Sequence, residues 1–492
     1  LKRTYLAPYG QSLALHTDLY QLTMAYGYWK KQIHEREAVF QLFFRRKPFG
    51  GTFALAAGLE TAIKYIKALS FDSSDLAYLE SLEGAGGRPL FEPGFLEYLS
   101  TLKITCDLDA VPEGTPMFPQ EPLVRVQGPL LQAQMLESAL LNIINFQTLI
   151  ATKAARVMLA VKGDPVVEFG LRRAQGIDGA LSAARAAFIG GCMGTSNVLA
   201  GKLLGIPVKG TFAHSWVMVF HSEEEAFNVF AEVLPESCIF LVDTYDTILG
   251  VHKAVRTAKK LREGGVEMLG VRIDSGDLAH LSIEIRKILD EAGFKDAKIM
   301  ASNELDEHLI RDLKHQGAKI DFWGVGTHLV TGKDQPAFDG VYKLSALQDE
   351  KGEWLHKLKI SEQIAKITNP GILQVRRFER QDQYSADMIY DTLGGIQQAA
   401  RIVDPTDPAL VRTVSKESSY RDLLEPVLRK GAEVKPMPKL SSIQQYAQRE
   451  LSKFHPAIRR FLNPQMYLAG LEKSLFDRKV QLIENIQDRG DF

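Results

Sequence analysis

MLGVRIDSGDLAHLSIEIRKILDE, Met268 to Glu291, holds the repeating unit from which the fold of the chain is read. An apolar run, Met268 to Ile273, reads as a strand. It ends in a polar turn with a glycine, and a helix-periodic stretch, Leu278 to Glu291, follows at once. The same order recurs on both sides. Strands are expected at Val166 to Phe169, Met193 to Thr195, Val208 to Gly210, Ile239 to Val242, Lys298 to Ala301, Ile320 to Trp323 and Val341 to Leu344. Helices fit between them at Ala174 to Ile189, Glu223 to Leu234, Ile248 to Arg262 and Glu304 to His315. Seven or eight parallel strands alternating with helices predict an α/β fold, an irregular (β/α) barrel before a doubly wound open sheet.

Outside this core the pattern changes. The opening third predicts an α+β domain over residues 1–129, with a helix at Thr17 to Lys30 that offers Leu19, Leu22, Met24 and Tyr26 for burial. A strand at Ala38 to Arg46 follows, then helices near Leu59 to Leu69, Asp75 to Leu82 and Gly94 to Leu102. Two short strands, Ile104 to Ala110 and Leu123 to Val126, precede a boundary at Gly128-Pro129 and one long helix, Leu131 to Val161. The barrel domain spans 130–345. Residues 346–492 predict a return to the first domain through strand-like pieces (Leu358 to Ile360, Gly371 to Arg377) and the basic Val427 to Lys439. Closing helices are expected around Ile443 to Phe454 and Gln465 to Ile486.

Composition limits the function classes. The chain of 492 residues carries 59 basic and 60 acidic side chains, which argues against a nucleic-acid or membrane-surface field as the main activity. Cys106, Cys192 and Cys238 show no CxxC spacing, so neither a disulfide scaffold nor a structural zinc site is signalled, and a reducing cytoplasm fits. No run is long enough for a transmembrane helix, and no signal-peptide order is evident.

The chemistry lies just after the strands. The first is followed by EFGLRRAQG, with Glu168, Phe169, Arg172, Arg173 and Gln175; the arginines fit a solvated face or an anion site equally. GTSN, Gly194 to Asn197, reads as a helix N-terminus whose free N–H groups also suit an anion. GTFAHSW brings Thr211, His214 and Ser215, and a lone histidine is more often a packed loop residue than a catalyst. LVDTYDT brings Asp243 and Asp246, which ordinary capping would also explain. RIDSGD brings Arg272, an arginine inside an apolar strand that must be paired or face a ligand, with Asp274, Ser275 and Asp277. Ser302 and Asn303 follow the sixth strand. Gly324, Gly326 and Thr327 follow the seventh, where backbone N–H groups free of side chains cradle a phosphate. Together these groups suit a phosphorylated sugar, with carboxylates for its hydroxyls or for Mg²⁺. HExxH, P-loop and GxGxxG patterns are absent.

These motifs, with TDLYQLTMAY, AVPEGTP, SNELDE and GVYKL, closely resemble bacterial nicotinate phosphoribosyltransferases, within the type II phosphoribosyltransferases, over nearly the whole chain. The resemblance implies transfer of phosphoribose from phosphoribosyl pyrophosphate to nicotinate, with Mg²⁺ and with ATP as co-substrate, in NAD salvage. It implies a homodimer with shared active sites. By resemblance His214 is the phosphohistidine, Phe169 stacks on the pyridine, and Tyr20 reaches the site from a neighbouring subunit. Arg272 and Thr211 contact nicotinate, Asp274 the ribose diol, Arg172 a phosphate and Asp243 the sugar and pyrophosphate. Gly324, Gly326 and Thr327 form the 5'-phosphate loop. Ser196 stands where nicotinamide-using relatives carry an aspartate, and a serine favours the acid over the amide. Ala213 stands where those relatives have an acidic residue. The competing readings are a nicotinamide phosphoribosyltransferase and a non-catalytic nucleotide sensor on the same scaffold; a quinolinate-decarboxylating relative fits the length and the histidine motif less well.

Overall fold

The computed structural model describes residues 13–363, 366–396, 400–405 and 407–488. It divides into two compact units. One joins Leu1–Thr152 to Ala337–Phe492, and the other is Lys153–Pro336. These divisions fall at 152/153 and 336/337, against 129/130 and 345/346 in the sequence reading; the long helix Glu137–Val161 carries the chain from one unit into the next.

In the first unit the helix Leu19–Lys30 buries Leu22 and Ala25, while Leu19 and Met24, expected inside, are exposed. The strand β1 (Glu37–Phe44) is EAVFQLFF, buried from Ala38 to its end. It lacks period-two alternation because both its faces are covered. With β2 (Asp107–Ala110) and β3 (Pro122–Pro129) it starts an antiparallel sheet. The expected single helix at 131–161 is two, Leu130–Met135 and Glu137–Val161; the ladder breaks at Leu136, whose own angles stay helical.

The second unit contains β4 (Val166–Glu168), β5 (Gly194–Thr195), β6 (Ile239–Leu241), β7 (Gly270–Ile273), β8 (Lys298–Ala301) and β9 (Phe322–Val325). They form one parallel sheet in the order β5-β4-β9-β8-β7-β6, so the last strand of the unit lies beside its first. That adjacency is the mark of a barrel. The sheet does not close into a ring among the described residues, because the strand expected at Val208 to Gly210 makes only an isolated bridge from Val208 to Thr195 and no ladder joins it to β6. Pro207 has no N–H to extend the pairing, and Val208 is half-exposed. Glu307 is fully buried between Lys153 and Arg156, at 2.7 Å from each. Breaking such a pair strands a charge, so the triad fixes the start of the helix Glu307–His315.

The chain then returns to the first unit. The strand at Val341 to Leu344 is real but longer, β10 (Gly340–Gln348), and it is antiparallel to β1, with Phe44 opposite Gly340. It is not an eighth barrel strand. The expected strand at 358–360 is absent, and β11 (Trp354–His356) lies just before it. A second mixed sheet centres on β12 (Leu373–Arg380) and β13 (Gln383–Asp391). The closing segment is a strand, β14 (Ala469–Glu472), parallel to β13, followed by the helix Lys473–Asp488, where one helix from Gln465 was expected. All three cysteines are buried. No described helix is long and apolar enough to cross a membrane.

Candidate active site

Parallel strands end on one side, so the rim of the second unit collects the residues that follow β4 to β9. Arg272 is at its centre. It lies on β7 with 16% of its side chain exposed and spends its donors on three partners. Nε donates to Ser302 Oγ (2.8 Å), Nη1 to Thr211 Oγ1 (3.0 Å) and Nη2 to Asp274 Oδ1 (2.9 Å). Ser302 also donates to Asp274. The guanidinium lies 5.6 Å from the centre of the Phe169 ring. Its charge is thus held in one orientation beside an aromatic face, the arrangement that matches a planar carboxylate.

Phe169 owes its position to two glycines. A Cβ on Gly324 would sit 2.7 Å from Phe169 Cδ2, and one on Gly326 would sit 3.1 Å from the Phe169 carbonyl oxygen. Glycine is therefore required at 324 by the ring, and at 326 favoured by the Phe169 backbone, as much as by any phosphate. Thr327 opens the short helix Thr327–Val330, and its hydroxyl donates to Glu304 Oε1 at 3.3 Å. Asn303 holds φ +114°, strained for a residue with a side chain, and strain of this kind collects at functional sites. Arg172 and Arg173 are exposed on the single turn Leu171–Arg173. Ser196 is part-buried and donates its backbone N–H to the Glu168 carbonyl at 2.9 Å. Its neighbour Asn197 is the N-cap, accepting from Ala200 N–H at 3.1 Å.

His214 is the first residue of the helix His214–Val219 and its side chain is 40% exposed. Its Nδ1 lies 3.1 Å from Thr244 Oγ1, and Nε2 lies 3.9 Å from Asp274 Oδ2. Asp243 Oδ2 accepts from the Asp274 N–H (2.8 Å) and the Ser275 hydroxyl (2.7 Å), while its buried Oδ1 has no partner. By contrast Asp246 and Asp277 are caps, accepting from Leu249 N–H (2.8 Å) and His280 N–H (3.0 Å). The rim thus brings together Phe169, Thr211, His214, Asp243, Arg272, Asp274, Ser302 and the Gly324 to Thr327 loop. Tyr20 belongs to the first unit, 49% exposed on the helix Leu19–Lys30. Thr244 and Glu304 were missed as members of the site; each is a common surface type whose role exists only through its partner.

Three family models match the chain: the nicotinate phosphoribosyltransferase N-terminal domain over residues 15–145, the nicotinate phosphoribosyltransferase family over 165–364 and its C-terminal domain over 373–479. The sequence is 44% identical to nicotinate phosphoribosyltransferase of Bacillus subtilis, over 97% of this chain and 96% of that protein. It is 36% identical to the Dictyostelium discoideum protein of the same name, over 94% and 87%. Its fold is similar to the crystal structure of human nicotinic acid phosphoribosyltransferase, with TM-score 0.83, 32% identity, and 95% and 99% of the two chains covered.

Proposed function

Because the chain belongs to the nicotinate phosphoribosyltransferase family, and is an enzyme of that activity in NAD salvage, we propose that the rim around Arg272 is where nicotinate meets phosphoribosyl pyrophosphate. The observation that carries the reading is the guanidinium held by Ser302, Thr211 and Asp274 beside the Phe169 ring. A pyridine carboxylate presents both matching features, a flat ring and an anion. Ser196 can donate to that carboxylate, which favours the acid over its amide.

In the reaction the pyridine nitrogen lone pair forms the bond to the anomeric carbon as the bond to pyrophosphate breaks. No proton leaves the nitrogen, so the site needs no general base. Its task is to hold the two reactants in line and to bear the charge that develops on the sugar and the leaving group. Asp274 is assigned to the ribose hydroxyls, Gly324 to Thr327 to the 5'-phosphate, and Arg172 and Asn303 to the phosphate side. Asp243 fits Mg²⁺, since its buried Oδ1 lacks a partner and Mg²⁺ is commonly bound through one or two carboxylates plus phosphate oxygens. The ion, when bound, neutralises pyrophosphate charge.

ATP enters through His214. An imidazole with Nδ1 held against Thr244 and a side chain 40% exposed is suited to accept a phosphoryl group. His214→Ala is expected to abolish acid-labile labelling from γ-³²P-ATP and the ATP-dependent gain in rate, with circular dichroism unchanged. Retained ATP coupling would remove the histidine from the mechanism.

A second copy of the chain supplies Tyr20 in this reading. Tyr20 and Met24 are one helical turn apart and both exposed, with Leu19 beside them, an apolar surface suited to burial against another subunit. Mixing Tyr20→Ala protein, impaired in nicotinate use, with His214→Ala protein, which lacks the ATP-dependent gain in rate, under subunit exchange is expected to restore ATP-dependent turnover at up to about a quarter of the sites. No recovery in exchanged dimers would place Tyr20 in its own subunit's chemistry or none.

A further inference from the structure

Glu168 ends β4 with 1% exposure, and no cation pairs with it among the described residues. An interior carboxylate without an ion partner is unfavourable unless its oxygens are needed as acceptors. Here both are. Oε1 accepts from the Gly170 N–H and Oε2 from the Thr195 hydroxyl at 2.5 Å. The Thr195 oxygen already accepts from the Asn197 N–H at 2.9 Å, so its proton has to go to Glu168. The backbone carbonyl of Glu168 takes the Ser196 N–H at 2.9 Å. One residue therefore ties the segment after β4, Phe169 to Arg173, to the end of β5 and the turn beyond it, Thr195 to Asn197.

We propose that Glu168 is the positioning residue of the nicotinate-binding wall, its acceptor-only carboxylate holding the Phe169 ring on one side and Ser196 on the other. The proposal rests on the base-site reading above. Glutamine cannot replace the carboxylate. If its oxygen keeps the Gly170 N–H, its NH₂ meets a hydroxyl oxygen that already accepts a bond and whose own proton is left without an acceptor. Burial pushes the Glu168 carboxyl up, and the bonds from Thr195 and Gly170 oppose that shift, consistent with a group kept for what it accepts.

The test uses full-length protein with nicotinate as the probe, by calorimetric binding and steady-state kinetics. Glu168→Gln is expected to raise KM and Kd for nicotinate about tenfold with kcat changed less than about threefold. Thr195→Val is expected to match it, Thr195→Ser to stay near wild type, and the double variant Glu168→Gln/Thr195→Val to be no worse than either single one. Phe169→Ala is the control. If it raises the nicotinate KM while Glu168→Gln and Thr195→Val leave it unchanged, or lower only the active fraction, the Glu168 proposal fails. If Phe169→Ala also leaves nicotinate binding intact, the base-site reading fails with it.

Discussion

Arg272→Ala is expected to lower kcat/KM for nicotinate by about a thousandfold, about 4 kcal/mol of transition-state stabilisation, while the protein remains folded. The size follows from what the guanidinium does in the structure. It is mostly buried, makes three hydrogen bonds, and lies 5.6 Å from the centre of the Phe169 ring. Truncation removes the counter-charge for a substrate carboxylate and leaves Asp274 and Ser302 facing each other unsupported. Nicotinamide carries no carboxylate and loses less, so the preference for acid over amide narrows in the variant. Arg272→Lys recovers only part of the loss, because a point charge with one stem cannot reach Ser302, Thr211 and Asp274 together in the planar fork. Competition of the two pyridines in one assay measures the ratio directly. An unchanged ratio in Arg272→Ala would show that the carboxylate is read elsewhere.

Arg377→Ala is expected to destabilise the protein by about 3–5 kcal/mol without touching any group of the active site. Arg377 and Asp387 are opposite one another across β12 and β13, and both side chains are fully buried. The guanidinium reaches Asp387 at 2.6 Å and the Pro116 carbonyl at 2.7 Å, and Tyr467 donates to Asp387 at 2.8 Å. The Tyr384 ring centre lies 5.0 Å from it and that of Phe454 5.1 Å. Alanine leaves a buried aspartate with no counter-ion. Replacing both partners by apolar residues of similar volume is expected to be far milder than the single change, and urea unfolding of the two variants separates a stranded charge from lost volume.

Glu121 beside this pair is the pH-sensitive member. Burial, with the negative charge of Asp387, pushes its carboxyl well above the ordinary range, so folding takes up a proton there. Its stabilising contribution is full below about pH 4.3 and declines as pH rises toward the folded value. Glu121→Gln, which keeps a donor toward Asp387 and cannot ionise, is expected to flatten that part of the urea midpoint against pH.

The barrel strands were legible because each is a short apolar run closed by a polar turn and followed by a helix, as at Met268 to Glu291. Partnership was less legible than existence. Val341 to Leu344 has the composition of a strand, but its partner β1 ends at Phe44, and nothing local says that the pairing is antiparallel. The sheet around β12 and β13 was largely missed for a physical reason: RRFERQDQYSADMIYD is rich in charge, yet Arg377 and Asp387 neutralise each other inside. Leu19 and Met24 were assigned to the core on hydrophobicity alone, which cannot separate a buried face from one left open on a single chain. In the site, Arg272 could be singled out because a charge in an apolar strand demands an explanation. Thr244 and Glu304 could not, since a threonine or a glutamate gains meaning only from what stands opposite it.

The pairing of β1 with β10 also sets a schedule for synthesis. Nearly 300 residues separate Phe44 from Gly340, about 15 to 60 s of translation at ordinary rates. For that time the nascent chain carries EAVFQLFF with one hydrogen-bonding edge unfilled, while the second unit, encoded without interruption, has all its strands in hand. A ribosome that stalls between the two would release a chain with an open apolar edge, the kind of surface that chaperones bind and that aggregates grow from.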